Sequence, residues 1–512
     1  MRKAFTLFLL IFVCATGAFA QATAGLGAVS GSVHDASGAI VPGAMVTLSN
    51  ETKGIQRNMI SSEAGVFAVP ALVPADGYKL SVALQGFQTW VASSFVVQVG
   101  QTLDFDVVLQ VAGASTEVSV TAEAPLVEEN KSGVSELVTQ EQIDNLPING
   151  RRVDSFVLLT PAVTNDGVFG LVSFRGNAMG NAFLTDGNDT TNSYYNENAG
   201  RTRITTQISQ DAVQEFQVLS DGFSAEFGRA TGGVVNTVTR SGGNNVHGTG
   251  YWFFRNRSLN ATDRYANGVN APEWRHQLGG SLGGPIKENK LFYFGNVEIV
   301  RRNFPALNRI INTNFTDTGG TLLPGICTAT ATQCATAINF IQRQMNVLVP
   351  RNANSTIGFL KFDYLPSDRN TISVNANVMH WRSLHGIQTQ AVLTSGNAVG
   401  DNGNSTVETR YGKASWTRIV SATAVNELRF GFFKDRLSDP AASDLWPKET
   451  GALNITLSGS STSNIGGSQN YPRTQPSETR YQIVDNFTWT QGAHSARFGF
   501  DYQTTLDFIK QV

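Results

Sequence analysis

The sequence predicts a mainly β fold, a small β-sandwich followed by long antiparallel strands of the kind that cross a membrane within a closed barrel. Three observations lead there. Leu291-Phe292-Tyr293-Phe294-Gly295-Asn296-Val297 is an apolar run of strand length in a chain with no apolar stretch near the ~20 residues a membrane helix needs. In Ile357–Tyr364, Leu360, Phe362 and Tyr364 share one face, and after the polar turn Pro366-Ser367-Asp368-Arg369-Asn370 so do Ile372, Val374, Ala376 and Val378. That period of two around a tight turn is an antiparallel hairpin. Lipid gives a free strand edge no hydrogen-bonding partner, so such hairpins facing a bilayer must belong to a closed barrel.

Residues Met1–Ala20 open with Arg2 and Lys3, continue with the apolar Leu7-Phe8-Leu9-Leu10-Ile11-Phe12-Val13 and end on Ala18-Phe19-Ala20. This order predicts a secretory signal peptide cut before Gln21. Cys14 sits inside the apolar run without small residues before it, which argues against lipidation. An exported chain without a stop-transfer helix is expected in the periplasm, outside the cell or in an outer membrane. Charged residues make up 15% of the chain, against roughly 25% in ordinary soluble domains. With a net charge of −2 there is no electrostatic footprint for nucleic acid. Once the signal is removed, Cys327 and Cys334 remain, six residues between them, and are expected to form one local disulfide in an oxidising compartment.

Residues 28–111 carry short alternating strands separated by turns: Gly31-Ser32-Val33-His34-Asp35, Met45-Val46-Thr47-Leu48, Val66-Phe67-Ala68-Val69, Tyr78-Lys79-Leu80-Ser81-Val82 and Leu103 to Leu109. A β-sandwich is the natural way to bury their apolar faces. With its Gly-x-Val-x-Asp opening and Gly65-Val66-Phe67 strand, the segment resembles the carboxypeptidase regulatory-like domain, an immunoglobulin-like, transthyretin-like sandwich. The resemblance implies a support or sugar-binding-like module without peptidase activity.

Residues 112–138 read as a linker containing the alternating Glu117-Val118-Ser119-Val120-Thr121-Ala122. An extended segment of this kind is suited to add as a strand to an exposed sheet edge, with backbone hydrogen bonds supplying the affinity; the plain alternative is the last sandwich strand. From Thr139 the character changes to a short helix stopped at Pro147. There follow Ser173-Phe174-Arg175-Gly176-Asn177, Leu184-Thr185-Asp186-Gly187-Asn188, Val213-Gln214-Glu215-Phe216, Glu226-Phe227-Gly228-Arg229 and Gly232-Gly233-Val234-Val235. This ordered series over residues 139–244 resembles the plug domain of TonB-dependent outer-membrane receptors. With the sandwich before it and Gly279-Gly280-Ser281-Leu282-Gly283-Gly284-Pro285 after it, the layout resembles the Oar-like branch. The resemblance implies an α+β plug inside a transmembrane β-barrel, with Glu117–Ala122 as the TonB box that recruits TonB and its inner-membrane energising complex.

From residue 245 to 512, hairpins alternate with polar stretches. Arg275–Ile286 pairs with Leu291–Arg301, Thr409–Arg418 with Ala424–Lys434, and Tyr481–Thr490 with Ala496–Thr504. Short turns are expected at the periplasmic end, with Arg302–Thr356, Leu384–Glu408 and Leu437–Glu478 as external loops. At about 10 residues per strand this region holds roughly nine or ten strands, whereas receptors of the family resembled close about 22. The chain also ends without a terminal aromatic strand, so an incomplete barrel is expected.

No catalytic constellation is visible. The histidines lack the carboxylates and spacing of zinc peptidases, and neither a Walker loop nor a dinucleotide fingerprint occurs. Asp186-Gly187-Asn188-Asp189 has the start of a calcium loop but not its turn glycine or closing Glu, and reads as a structural turn. No cofactor or metal is implied. Arg175, Asp186, Glu215 and Arg229, enclosed in a barrel, must be paired or pay for desolvation; they are candidate plug residues with Gly176, Gly187, Gly232 and Gly233. Tyr194, Tyr195 and Asn196 are candidate contacts for a polar or sugar-like solute at the plug apex. The resemblance implies an energy-coupled receptor taking up a scarce solute such as a carbohydrate, siderophore or peptide, with outer-membrane lipid around the barrel. The alternative is an outer-membrane structural protein for adhesion, export or cell-cell signalling.

Overall fold

The computed structural model describes residues 25–112, 117–121, 134–165, 171–193, 197–198, 207–261, 270–309, 317, 323, 325, 327–344, 347–349, 352–383, 393–395, 405–421, 423–438, 454–457, 463–466, 477–491 and 494–508. The signal segment, Ala122 and Tyr194–Asn196 lie outside them.

The first unit is built from β1 (Gly27–Asp35), β2 (Met45–Asn50), β3 (Ile55–Ile60), β4 (Val66–Leu72), β5 (Ala75–Ala83), β6 (Thr89–Val97) and β7 (Thr102–Leu109), joined by β8 (Glu117–Thr121). One sheet runs β4-β1-β7 and the other β3-β2-β5-β6-β8. Alternate residues point between them: Val29, Val33, Val46, Leu48, Leu80, Val82, Leu103 and Val107 are buried together. Buried Tyr78 keeps its hydroxyl satisfied by donating to the Val73 carbonyl at 2.7 Å. The turn after β1 is pinned by Asp35, whose carboxylate accepts from the backbone N–H groups of Ser37 and Ala39, with Gly38 at φ +84° where a side chain would be strained.

The plug follows: β9 (Val134–Val138), α1 (Gln140–Asn145), α2 (Asp154–Val157), β10 (Val163–Asn165), β11 (Val172–Phe174), β12 (Ala182–Thr185), β13 (Asn188–Asp189), β14 (Thr191–Asn192), β15 (Glu197–Asn198), β16 (Val213–Asp221) and β17 (Val234–Thr239). Its main sheet has the order β13-β12-β17-β16-β9. Val134–Val138, expected within the linker, is thus an edge strand of the plug, because Val138 is buried in the plug core while Val134 and Glu136 stay exposed. α1 starts at a capping box, Thr139 with Gln142.

The rest is a wall of long antiparallel strands with smaller elements between them: β18 (His247–Asn256), β19 (Trp274–Lys287), β20 (Leu291–Asn303), β21 (Ala306–Arg309), α3 (Ala331–Gln344), β22 (Val347–Val349), β23 (Asn354–Ser367), β24 (Asn370–Ser383), β25 (Leu393–Ser395), β26 (Ser405–Ser421), β27 (Ala424–Ser438), β28 (Asn454–Leu457), β29 (Ser463–Gly466), β30 (Ser477–Gln491) and β31 (His494–Phe508). The nine-stranded sheet has the order β18-β19-β20-β23-β24-β26-β27-β30-β31. In the hairpin read from sequence, Leu360 faces Ala376, Phe362 faces Val374 and Tyr364 faces Ile372. Leu360, Phe362, Tyr364, Val374, Val378, Phe498, Phe500 and Tyr502 make the outer face apolar and exposed. The inner face is polar but buried, with Lys361, Asn375, Asn377, Glu427, Asp435, Glu478 and Arg480 packed beneath the plug. No helix among the described residues is long and apolar enough to cross a membrane, which says nothing of strands.

All short turns lie at one end of the wall and the longer connections at the other, as an antiparallel meander requires. Cys327 and Cys334 are joined by a disulfide just before and within α3, in one of those longer connections. The sandwich sits at the short-turn end, where Asn244 donates to the carbonyls of Thr52 (2.7 Å) and Glu51 (2.6 Å).

Candidate functional site: buried polar locks between plug and wall

The plug is packed around an apolar core in which Ile143, Phe156, Phe174, Phe216 and Val218 are fully buried, and Phe294 and Phe359 of the wall enter the same cluster. Beside these apolar contacts, polar ones join it to the wall, and three groups of them are buried at the seam.

The first is the β13–β14 tip. The side chain of Arg480 on β30 is buried and ion-pairs with Asp189 at 2.9 Å. It also donates to the Thr191 carbonyl and to Ser193 Oγ, both at 2.6 Å, and contacts Glu478. Glu478 in turn accepts from the Ser193 backbone N–H at 2.6 Å. From the plug side Arg229 pairs with the other Asp189 oxygen at 2.7 Å and reaches Gln503 on β31 at 3.0 Å. Asn192 donates to Asp435 at 2.8 Å. Asp189 therefore holds one arginine from the plug and one from the wall.

The second lock is the turn Asp186-Gly187. Both residues have positive φ, and Thr185 pairs with Asn188 across them, a tight two-residue hairpin in which Gly187 tolerates the backbone that few other residues would. The Asp186 carboxylate accepts from Thr239 N–H (2.9 Å), Thr239 Oγ1 (2.7 Å) and Asn375 Nδ2 (2.6 Å). Lys413 donates to its carbonyl at 2.7 Å, and Lys361 to Thr239 Oγ1 at 3.1 Å. Burial pushes this carboxyl up, but the Lys361 and Lys413 charges and the Thr239 bonds outweigh it and hold it below the usual range.

The third lock centres on Glu298 of β20, which accepts from Tyr251 Oη (2.5 Å), Ser209 Oγ (3.0 Å) and Gln277 Nε2 (3.2 Å). Arg151 contacts Asp211 and stacks over the Tyr251 ring at 4.3 Å. Asp186, Asp189, Glu298, Glu478 and Arg480 are buried and bonded, so stripping one of them of all its partners leaves a charge in a low-dielectric site, at a cost of about 3–5 kcal/mol.

The remaining candidate residues divide by surroundings. Arg175 is half exposed and pairs within the plug, to Asp221 at 2.9 Å. It sits with Gly176 in a second positive-φ turn. Glu215 accepts from the Val99 backbone N–H of the sandwich at 2.7 Å, and burial pushes its carboxyl up to about 7. Gly233 is where Phe174 lies against the backbone, since a Cβ there would fall 2.3 Å from Phe174 Cδ1; at Gly232 it would fall 2.1 Å from Asn181 Oδ1. Glu117–Thr121 pair in parallel with β6, Trp90 opposite Val118, so the segment is already an added strand on the sandwich edge. No group of three potential metal ligands occurs among the described residues.

Sequence reasoning reaches Asp189 only as part of a structural turn, and does not reach Glu298, Lys361, Lys413, Glu478 or Arg480. The signal available is a charged residue at the alternate position of an apolar strand, as Lys361 stands between Leu360 and Phe362.

Residues 238–511 match the model of the outer membrane beta barrel domain family. The chain belongs to that family. This outer-membrane β-barrel chain also matches the carboxypeptidase regulatory-like domain over residues 28–110. It is similar to the TonB-dependent transporter Oar of Myxococcus xanthus, 26% identical over 296 residues that cover 54% of this chain and 27% of that protein. The chain spans about a quarter of the length of that curated relative. Among solved structures it is similar to a mutant of the ferric enterobactin receptor PfeA from Pseudomonas aeruginosa, with 13% identity and a TM-score of 0.48, covering 73% of this chain and 49% of that one. Another is the outer membrane transporter YddB from Escherichia coli, with 13% identity and a TM-score of 0.49, covering 72% and 48%.

Proposed function

We propose that this outer-membrane barrel chain works as a TonB-dependent transporter that takes up a scarce solute by energy-coupled movement of the plug. The observation that carries this reading is the set of buried polar locks that joins the plug to the wall beside the apolar contacts of Phe294 and Phe359. A sheet packed around Phe156, Phe174 and Phe216 moves as one body, while the Asp189, Asp186 and Glu298 locks are discrete contacts that are made or broken as units. β9 follows β8 after the twelve residues 122–133, so in this reading tension on Glu117–Thr121 reaches the edge of the plug sheet, where β9 pairs with β16. In this reading TonB engages the 117–122 segment from the periplasm, where the sandwich also lies, and the solute is captured on the side of the long connections. Siderophores, cobalamin, oligosaccharides and peptides all suit a seat of this kind, since the fold does not set the cargo.

The test is uptake by cells carrying the protein, measured with labelled ferric siderophore, cobalamin and oligosaccharide, with and without a protonophore. Accumulation of one of these that stops when the proton gradient is dissipated supports transport. Normal outer-membrane assembly with no gradient-dependent accumulation of any of them favours the structural or adhesive role instead.

A further inference from the structure

The sandwich does more than sit beside the barrel. Its β2–β3 edge is built into the short-turn end of the wall. Lys53 donates to the carbonyls of Ser241 (3.1 Å) and Gly242 (2.9 Å) where the plug runs into β18. Arg57 is buried, contacts the Asp368 carbonyl in the β23–β24 turn and reaches Thr371 Oγ1 at 3.3 Å. Asn244 ties Thr52 and Glu51 to Asn289 of the β19–β20 turn. Phe292 and Leu365, from wall strands, are buried in the sandwich's own apolar cluster. On the plug side Val99 donates to Glu215. The sandwich thus grips two wall turns, the plug and the plug–wall junction at once.

Beneath it lies a cavity bounded by all three units. Lys53 and Arg57 reach it from the sandwich, Asp186 from the plug, and Lys361, Lys413 and Ser415 from the wall. Its lining mixes these charged and hydroxyl groups with apolar side chains such as Ile55, Leu72, Val238 and Phe292. The cavity also touches the Asp186 lock, so a plug that lets go there opens toward the sandwich.

We infer that the sandwich is an inner gate, a lid seated in the short-turn mouth of the barrel by Lys53, Arg57 and the Glu215–Val99 contact, and that a path past the plug stays shut until this lid lifts. The inference rests on the transport reading for its purpose. Its test needs no solute, so failure of the gate and failure of transport are separate results.

The experiment is thiol labelling in outer membranes holding the full chain, with the reagent supplied from the periplasmic side. Ser415→Cys places a thiol in the cavity, Glu288→Cys places one on an exposed wall turn, and the native pair Cys327–Cys334 is already bonded. The probe is a membrane-impermeant maleimide. With the lid seated, the Ser415→Cys thiol reacts far more slowly than the Glu288→Cys thiol. Adding Arg57→Leu, or separately Lys53→Met, speeds the cavity thiol by roughly tenfold or more, the effect expected from losing a hydrogen bond to a charged group. A protease-resistant sandwich fragment in each variant shows that the domain is still folded. Equal rates for the two thiols in the parent overturn the gate. So does a cavity thiol that neither anchor variant speeds while the sandwich remains folded.

Discussion

Replacing Glu215 with Gln should stabilise the sandwich–plug junction at alkaline pH and leave it unchanged in acid. Glu215 is 5% exposed and its partner is an uncharged backbone N–H, Val99, at 2.7 Å. Burial raises the carboxyl from 4.5 to about 7, the Val99 bond pulling the other way. The sign follows from linkage. Between those two values the folded protein keeps a proton that the unfolded chain has released, so stability falls as pH rises through the window, and above about 7 the full cost of the buried charge is present. A shift of that size corresponds to about 3 kcal/mol at ~1.4 kcal/mol per unit. The substituted amide would keep an oxygen for the Val99 N–H and carry no charge. The assay is thermal unfolding of detergent-solubilised protein at pH 4.5 and pH 8, followed by near-ultraviolet circular dichroism. The Glu215→Gln variant should melt several degrees above the parent at pH 8 and together with it at pH 4.5, at roughly 2–4 °C per kcal/mol for a unit of this size. Parallel pH curves for the two proteins would refute the reasoning.

Other expectations concern the locks and the fold around them. Arg480→Met leaves the buried Glu478 without its cation and Asp189 with Arg229 alone, and should loosen the plug by about 3 kcal/mol, read as faster proteolysis of plug residues. Arg410→Met, on a largely exposed arginine, should change the same rate little. Gly233→Ala forces a methyl into the Phe174 ring and should cost about 1–3 kcal/mol in plug stability by the same assay. Cys327 and Cys334 should resist alkylation until reductant is added, and opening so short a loop should cost about 2 kcal/mol of local stability.

The wall was the most legible part of the chain, because lipid imposes a strict rule on every second residue. Leu360, Phe362, Val374 and Val378 state that rule openly. The inner positions were harder to read, since their environment is a separate part of the chain. The run Leu291–Val297 shows this: Phe292 packs into the sandwich cluster and Phe294 into the plug cluster, so both faces are apolar and the alternation vanishes. Opposite effects hide the locks, because Arg480 and Glu478 resemble ordinary lumen-facing charges until the plug tip is set against them. In the sandwich β6 escaped because Ser93 and Ser94 interrupt its pattern, Ser94 at φ +61°. β9 escaped because Val138 is its only deeply buried side chain. The Asp186-Gly187 turn was visible as a turn, but nothing local announces that Asn375, far along the chain, will bond to it.

In the proposed transport cycle Glu117–Thr121 is the strand through which energy reaches the plug. The most direct measurement is binding of the purified periplasmic domain of TonB to the full-length protein in detergent, compared among the parent, Val118→Ala and Val118→Pro. Strand addition uses the backbone N–H, which alanine keeps and proline removes. The account predicts binding close to the parent for alanine and none for proline, while the plug stays protease-resistant in both. A proline variant that binds as tightly as the parent would contradict it.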